Sequence, residues 1–183
     1  MTFALPYLVF WALLCAFALA AIANWRSSLK QRERDWHDLV AGLRSVDFAG
    51  VSAVALDYLT PRRGQIDMEP EEIWEFLGGY EGLRKMRENA EIMLALAAYA
   101  QRWNFDEAVI VTERMRHDAA SLRRAIHRVE LGILPTRLLR RFRLTLPLHA
   151  QQASSAYYLM RQRLLSLYET SHGSRYPLLA ASL

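Results

Sequence analysis

The feature that most constrains this chain is an uncharged apolar run at its amino terminus. No charged side chain occurs from Thr2 to Trp25, and Phe3–Ala23 is an almost unbroken apolar segment. About 20 apolar residues, at a rise of ~1.5 Å each in a helix, cross the ~30 Å hydrocarbon core of a bilayer. We therefore predict that residues 1–25 form a single transmembrane anchor.

A cleaved secretory signal peptide is the competing interpretation of this segment. The small residues of Ala21–Ala23, placed before Asn24, fit the pattern that signal peptidase cuts, but no Lys or Arg precedes the apolar run. The basic residues follow it instead, at Arg26, Lys30, Arg32 and Arg34. Because Lys and Arg beside a span are retained in the cytoplasm, this asymmetry favours an uncleaved, single-pass anchor. The amino terminus would lie outside and the main domain in the cytoplasm.

Beyond the anchor, apolar residues recur at helical spacing. Leu29, Trp36, Val40 and Leu43 predict an amphipathic stem helix over residues 26–46. Residues 47–183 then have the size of one domain. We predict an all-α fold, in which an N-terminal single transmembrane helix is followed by a helical bundle.

The strongest periodic signal predicts a long antiparallel helical hairpin at the centre of that bundle. Its first helix, about residues 80–103, has an apolar stripe of Leu83, Met86, Ala90, Met93, Leu94 and Ala97. Its second helix, to about residue 131, has a stripe of Phe105, Ala108, Thr112, Met115, Ala119, Leu122, Ile126 and Val129. The short turn between them implies antiparallel packing. A final helix over about residues 148–171 has a stripe of Ala153, Tyr157, Met160, Leu164 and Leu167.

Helix boundaries are indicated by individual residues. Asp47 is placed to cap a short helix that ends before Pro61, and Pro70 suits the first turn of another. Gly78 and Gly79 should interrupt the chain before the hairpin, and Gly132 should end the second long helix.

Side chains that could support catalysis form no recognised pattern. Glu113 with His117, and His127 with Glu130, have helical spacing but lack a metal-binding signature such as H-E-x-x-H. The single cysteine, Cys15, falls inside the predicted span. We therefore predict a protein that is not an enzyme, with no catalytic residues, metal site or cofactor.

Two segments indicate interaction instead, and the first lies in the predicted span. Ala12, Ala16 and Ala20 repeat at intervals of four. Small residues at this spacing let two membrane helices approach closely. This face predicts self-association through the span, although alanine-rich helices also produce the spacing by composition alone.

The second segment connects the hairpin to the final helix. Leucines alternate there with Arg137, Arg140, Arg141, Phe142 and Arg143. Arginines with apolar neighbours suit the headgroup boundary of an anionic membrane, or a protein partner. The alternative is a loop whose leucines cover the bundle core and whose arginines are solvated.

These features predict a scaffold, an adaptor or a regulator of a membrane partner, with the lipid bilayer and another protein as its contacts. The alternative function is a nucleic-acid-binding module that uses the region Arg123–Arg143, where seven arginines accompany one acid. That alternative is weaker because the net charge of the chain is only +4, and phosphate recognition usually brings a larger basic excess and a recognisable fold.

Overall fold

The computed structural model describes residues 35–61, 68–133 and 146–183. These residues contain no strand, and their seven helices are α1 Trp36–Ala41, α2 Phe48–Leu59, α3 Pro70–Phe76, α4 Gly79–Ala100, α5 Phe105–Ile133, α6 Leu146–Ser171 and α7 Tyr176–Ser182. The all-α prediction is confirmed for them. None of these seven helices is long and apolar enough to cross a membrane. The predicted anchor, residues 1–25, lies outside the described residues.

The local signals for the shorter helices are confirmed. Asp47 caps α2, where its Oδ1 accepts hydrogen bonds from the backbone N–H groups of Ala49 at 3.0 Å and Gly50 at 3.3 Å. Pro70 occupies the first turn of α3, where a missing N–H has no cost. The turn before α4 has φ values of +66° at Gly78 and +65° at Gly79, which glycine adopts without a steric penalty.

The hairpin is confirmed by contacts between α4 and α5. Residues 101–104 join the two helices, and α4 ends at Ala100, three residues before its predicted end. Side-chain contacts link them in antiparallel order: Arg87 with Glu130 at 2.8 Å, Glu91 with Arg123 at 3.4 Å, and Gln101 with Thr112 at 3.4 Å. The turn and the reversed order of these contacts define an antiparallel pair.

The predicted stripes form the core of the bundle, apart from Leu94 of α4, which is only partly buried, and one residue of α5. Its stripe is buried from Ala108 to Val129, but Phe105 is 67% exposed. Phe105 lies in the first turn, about 60° around the helix from Ala108, on the outer edge of the stripe. All five predicted residues of the α6 stripe are buried. Helix α6 packs most extensively on α5, and α2 packs on α6.

The structure corrects the stem and the end of α5. Helix α1 ends at Ala41, not near residue 46, and it buries Trp36 and Leu39 in the core. Residues 36–183 form a compact unit that begins at Trp36 and so contains α1. Helix α5 includes the buried Gly132 and ends at Ile133, so Gly132 does not end the helix as predicted.

The short helix α7 near the carboxyl end of the chain was not predicted. It follows Gly173, which lies between the end of α6 and the start of α7. Leu179 of α7 is fully buried. Packing of this one side chain supports a helix too short to show a periodic stripe.

Candidate interaction surface and basic groove

The residues predicted as contacts from sequence lie outside the part of the chain that the structure describes. They are Arg137, Arg140, Arg141, Phe142 and Arg143 in the connection, and Ala12, Ala16 and Ala20 in the predicted span. The described structure does show where the connection joins the bundle, because α5 ends at Ile133 and α6 begins at Leu146.

Buried polar side chains in the core hold helices together. Asn89 of α4 is fully buried, and its amide group donates to the Arg44 carbonyl at 2.8 Å and to the Tyr157 hydroxyl at 3.0 Å. Its carbonyl oxygen accepts from the Arg44 N–H at 2.7 Å. Burial raises the pKa of Tyr157, so its phenol stays neutral. Asn89 of the hairpin thus binds two other parts of the fold, namely α6 and the segment that follows α1.

A second buried set joins α1 to the bundle. The Trp36 indole donates to the Tyr168 hydroxyl at 3.1 Å, which donates in turn to the Leu96 carbonyl at 3.0 Å. Burial raises the pKa of Tyr168, which keeps this hydroxyl a donor. The Arg175 guanidinium lies 5.1 Å from the Trp36 ring and 4.7 Å from the Trp103 ring, within the range of cation–π attraction. These groups therefore stabilise the fold.

Exposed apolar side chains occur at the end of the bundle that holds the connection. Helix α2 runs antiparallel to α6, because Gln151 donates to Asp57 at 3.1 Å while Phe48 stacks on Tyr158. The carboxyl ends of α2 and α5 therefore meet the amino end of α6. We call this surface the connection end and define it by four side chains that are 37–50% exposed: Leu56, Leu59, Ile133 and Leu148.

A polar groove lies beside the connection end, between α5 and α6. Its volume is about 440 Å³. The lining comes from three helices: Tyr58 of α2; His117, Asp118, Ser121, Arg124, Ala125 and Arg128 of α5; and Gln152, Ser155, Ala156 and Leu159 of α6. We call this surface the basic groove. Ala125 and Ala156 are buried, and their short side chains leave the space that the groove occupies.

The electrostatics of the basic groove are positive. Asp118 forms an ion pair with Arg163 of α6, so its charge is already balanced. Burial, and then the like charge of Arg114, lower the pKa of Arg163. Arg124 donates to the Ser121 hydroxyl at 3.1 Å. No described carboxylate lies within ion-pair distance of Arg124 or Arg128.

Two other arginines of α5, Arg116 and Arg123, do pair with carboxylates. Arg116 lies 2.8 Å from Glu113, and Arg123 lies 3.4 Å from Glu91 of α4. The basic region that the sequence indicated is therefore divided: Arg123 faces α4, whereas its neighbour Arg124 faces the groove. Adjacent residues on a helix differ by ~100° in direction, so the sequence could have predicted that Arg123 and Arg124 face different neighbours. The groove itself could be recognised only once the position of α6 was known.

Of the two Glu–His pairs that the sequence indicated, only the second is a contact in the structure, because Glu113 pairs with Arg116 and His117 lines the groove. His127 lies 3.6 Å from Glu130 within α5. Across the residues that the structure describes, no three or more His, Cys, Asp or Glu side chains are grouped as they would be around a metal ion.

Comparisons of the chain with protein-family models, curated proteins and solved structures give no match.

Proposed function

We propose that this chain is a single-pass, membrane-anchored protein that acts without catalysis as a scaffold, adaptor or regulator of a membrane partner. The observation that supports the proposal most directly is the connection end. Its partly exposed side chains lie at helix ends: Leu56 and Leu59 near the carboxyl end of α2, Ile133 at the end of α5, where the arginine-rich connection begins, and Leu148 in the first turn of α6.

The composition of this surface favours a contact role. Grouped apolar side chains on a domain surface are typical of interaction sites, whereas isolated ones are not. Arg124 and Arg128 lie nearby on the last turns of α5, and Arg137, Arg140, Arg141 and Arg143 follow in sequence. Arginine beside apolar residues is enriched at protein interfaces and also suits an anionic membrane surface.

The anchor determines where this contact occurs. If residues 3–23 span the membrane uncleaved, the protein remains in the membrane fraction after an alkaline carbonate wash and keeps its first residues. A protease outside intact cells should then leave the Arg63 region uncut, because the domain is cytoplasmic. A soluble chain that begins at Asn24 would contradict the anchor and support the signal-peptide interpretation.

Photo-crosslinking in native membranes tests the contact surface. A benzophenone amino acid is placed in the full-length chain at Leu59, Ile133 or Leu148, and at the exposed Gln162 of α6 as the control. Residues 148 and 162 are ~21 Å apart along α6. We expect one discrete protein adduct from the first three positions and none from the control. If all four positions give the same products, or none gives an adduct, the connection end is not the contact surface.

The crosslinking experiment also distinguishes this proposal from the alternative function. Nucleic-acid binding through Arg123–Arg143 is favoured by one observation, namely that no described carboxylate neutralises Arg124 or Arg128. That function predicts nuclease-sensitive adducts and an affinity that falls steeply with salt. A nuclease-resistant protein adduct supports the scaffold or adaptor instead.

A further inference from the structure

We infer that the basic groove is a binding site for a phosphate group, either on a small soluble molecule or on a lipid headgroup. This inference goes beyond the proposed function, because it assigns a ligand to the side of α5 and α6 and not a partner to the connection end. A chain that binds no phosphate could still crosslink to a protein partner, so the two proposals can fail separately.

The shape of the groove is that of a site for a small ligand. Its volume of about 440 Å³ lies in the range of ligand pockets. The space exists because Ala125, Ser155 and Ala156, all buried, meet where α5 and α6 face each other. Larger side chains, such as those of Tyr58 and Arg128, also line the groove. A ligand would therefore be contacted from α2, α5 and α6 together.

The charge of the groove selects an anion. Arg124 and Arg128 are one turn apart on α5, and both line the groove. Asp118 is paired with Arg163, and Asp57, next to Tyr58 on α2, accepts a hydrogen bond from Gln151. Two arginines thus line the groove with no described carboxylate within ion-pair distance of either.

The donors match phosphate better than a carboxylate. Each guanidinium presents a planar fork that fits two phosphate oxygens, and two of them balance a doubly charged phosphate. The Tyr58 hydroxyl accepts from Gln152 at 3.4 Å, which leaves its own O–H able to donate. His117 adds a ring nitrogen on the α5 side. The lining of the groove thus offers donors from α2 and α5 to the several oxygens of a phosphate group.

Titration of the full-length protein in neutral detergent tests whether the groove binds a phosphate group on a small soluble molecule. The probes are inorganic phosphate and glycerol 3-phosphate, with succinate as a dianion without phosphorus, all at one ionic strength. We expect saturable binding of the two phosphate probes by calorimetry and much weaker binding of succinate. Equal binding of succinate would overturn the proposal, because it would show a diffuse positive field.

Matched charge variants test the location. Arg124→Gln with Arg128→Gln should weaken phosphate binding by at least roughly tenfold, because two charge-assisted contacts are lost. Arg116→Gln with Arg123→Gln removes the same charge from α5 but leaves the groove intact, so binding should be unchanged. An equal loss in both double variants would contradict the assignment. All four arginines are exposed, so the fold should persist in both variants.

Chemical labelling of the unmodified chain gives a site-resolved result that depends on no variant. Phosphate should protect Arg124 and Arg128, but not Arg116, from phenylglyoxal. For the lipid source, the protein is placed in phosphatidylcholine bilayers with or without phosphatidic acid. Protection only with phosphatidic acid identifies a headgroup as the ligand and supports the site. If neither the soluble phosphates nor the lipid protects Arg124 and Arg128, the site does not exist.

Discussion

At the scale of single residues, the buried stripe of α5 gives the clearest energetic prediction. Leu122 is 0% exposed, and Arg124, two residues later, is exposed. Leu122→Ala should lower the free energy of unfolding by about 2–5 kcal/mol, because a cavity forms where the side chain packed. Arg124→Ala should cost well below about 1 kcal/mol. Urea unfolding of the detergent-solubilised chain measures both, and equal losses would mean that the faces of α5 are wrongly assigned.

Asn89 is the residue whose role the sequence pattern missed. It lies beside the apolar stripe of α4, where its polar side chain predicts exposure, yet it is fully buried. Asn89→Ala leaves the Arg44 N–H and the Tyr157 hydroxyl without this partner and should cost about 1–3 kcal/mol. Gln162→Ala, at an exposed position of α6, is the control and should have no measurable effect. If Asn89→Ala leaves the free energy of unfolding unchanged, water replaces these hydrogen bonds.

At the scale of elements, Glu130 couples the two helices of the hairpin in a pH-dependent way. The Tyr80 hydroxyl donates to it at 2.8 Å, and Arg87 donates at 2.8 Å. These contacts, Tyr80 first, lower the pKa of Glu130 below its ordinary value. Because the folded pKa lies below the unfolded one, the stabilisation is complete above the unfolded pKa and is lost as the pH falls through the folded pKa.

Glu130→Gln should therefore flatten the loss of stability in this acidic range. The measurement is the urea midpoint against pH for the natural chain and the variant. Glu113→Gln is the control, since Glu113 pairs with Arg116 inside α5 and joins no second helix. Two parallel curves for the natural chain and Glu130→Gln would contradict the coupling.

The contact between α2 and α3 depends on one glycine. A Cβ atom at Gly50 would lie 2.3 Å from the Phe76 carbonyl oxygen and 3.0 Å from its carbon. Since both atoms are backbone, Gly50→Ala must move one helix, and we expect a cost of about 1–3 kcal/mol. At Gly173 a Cβ would meet nothing within 4 Å, so Gly173→Ala is the matched control. Similar thermal midpoints for the two variants would show that α2 and α3 separate without strain.

At the scale of the whole molecule, the position of α1 decides where the bundle begins. A stem that only linked the anchor to the domain would tolerate the loss of Trp36. In the structure this side chain is buried, and its indole donates to Tyr168, 132 residues further along the chain. Trp36→Ala should therefore cost about 3–5 kcal/mol by urea unfolding, whereas a cost near zero would support the separate stem.

The long helices and several of their boundaries were predictable because their causes are local. A stripe that returns every three or four residues identifies the buried face of a helix whatever it packs against. Asp47 and Pro70 act on the backbone of their own first turn, so their effect can be read without a fold. The same local signals predicted α1 too long and did not predict α7, since short helices depend on packing more than on propensity.

The sequence by itself determined the all-α class of the described residues, the hairpin and most of the core. Tertiary structure alone decided which polar residues are buried and where arginine charge is left unbalanced. Asn89 and Trp36 are buried because partners distant in sequence satisfy their hydrogen bonds. Arg123 and Arg124 are adjacent in the chain, but one faces a carboxylate of α4 and the other faces the groove. Sequence fixes the angle between neighbouring side chains on a helix, whereas the packing of other helices fixes what each one meets.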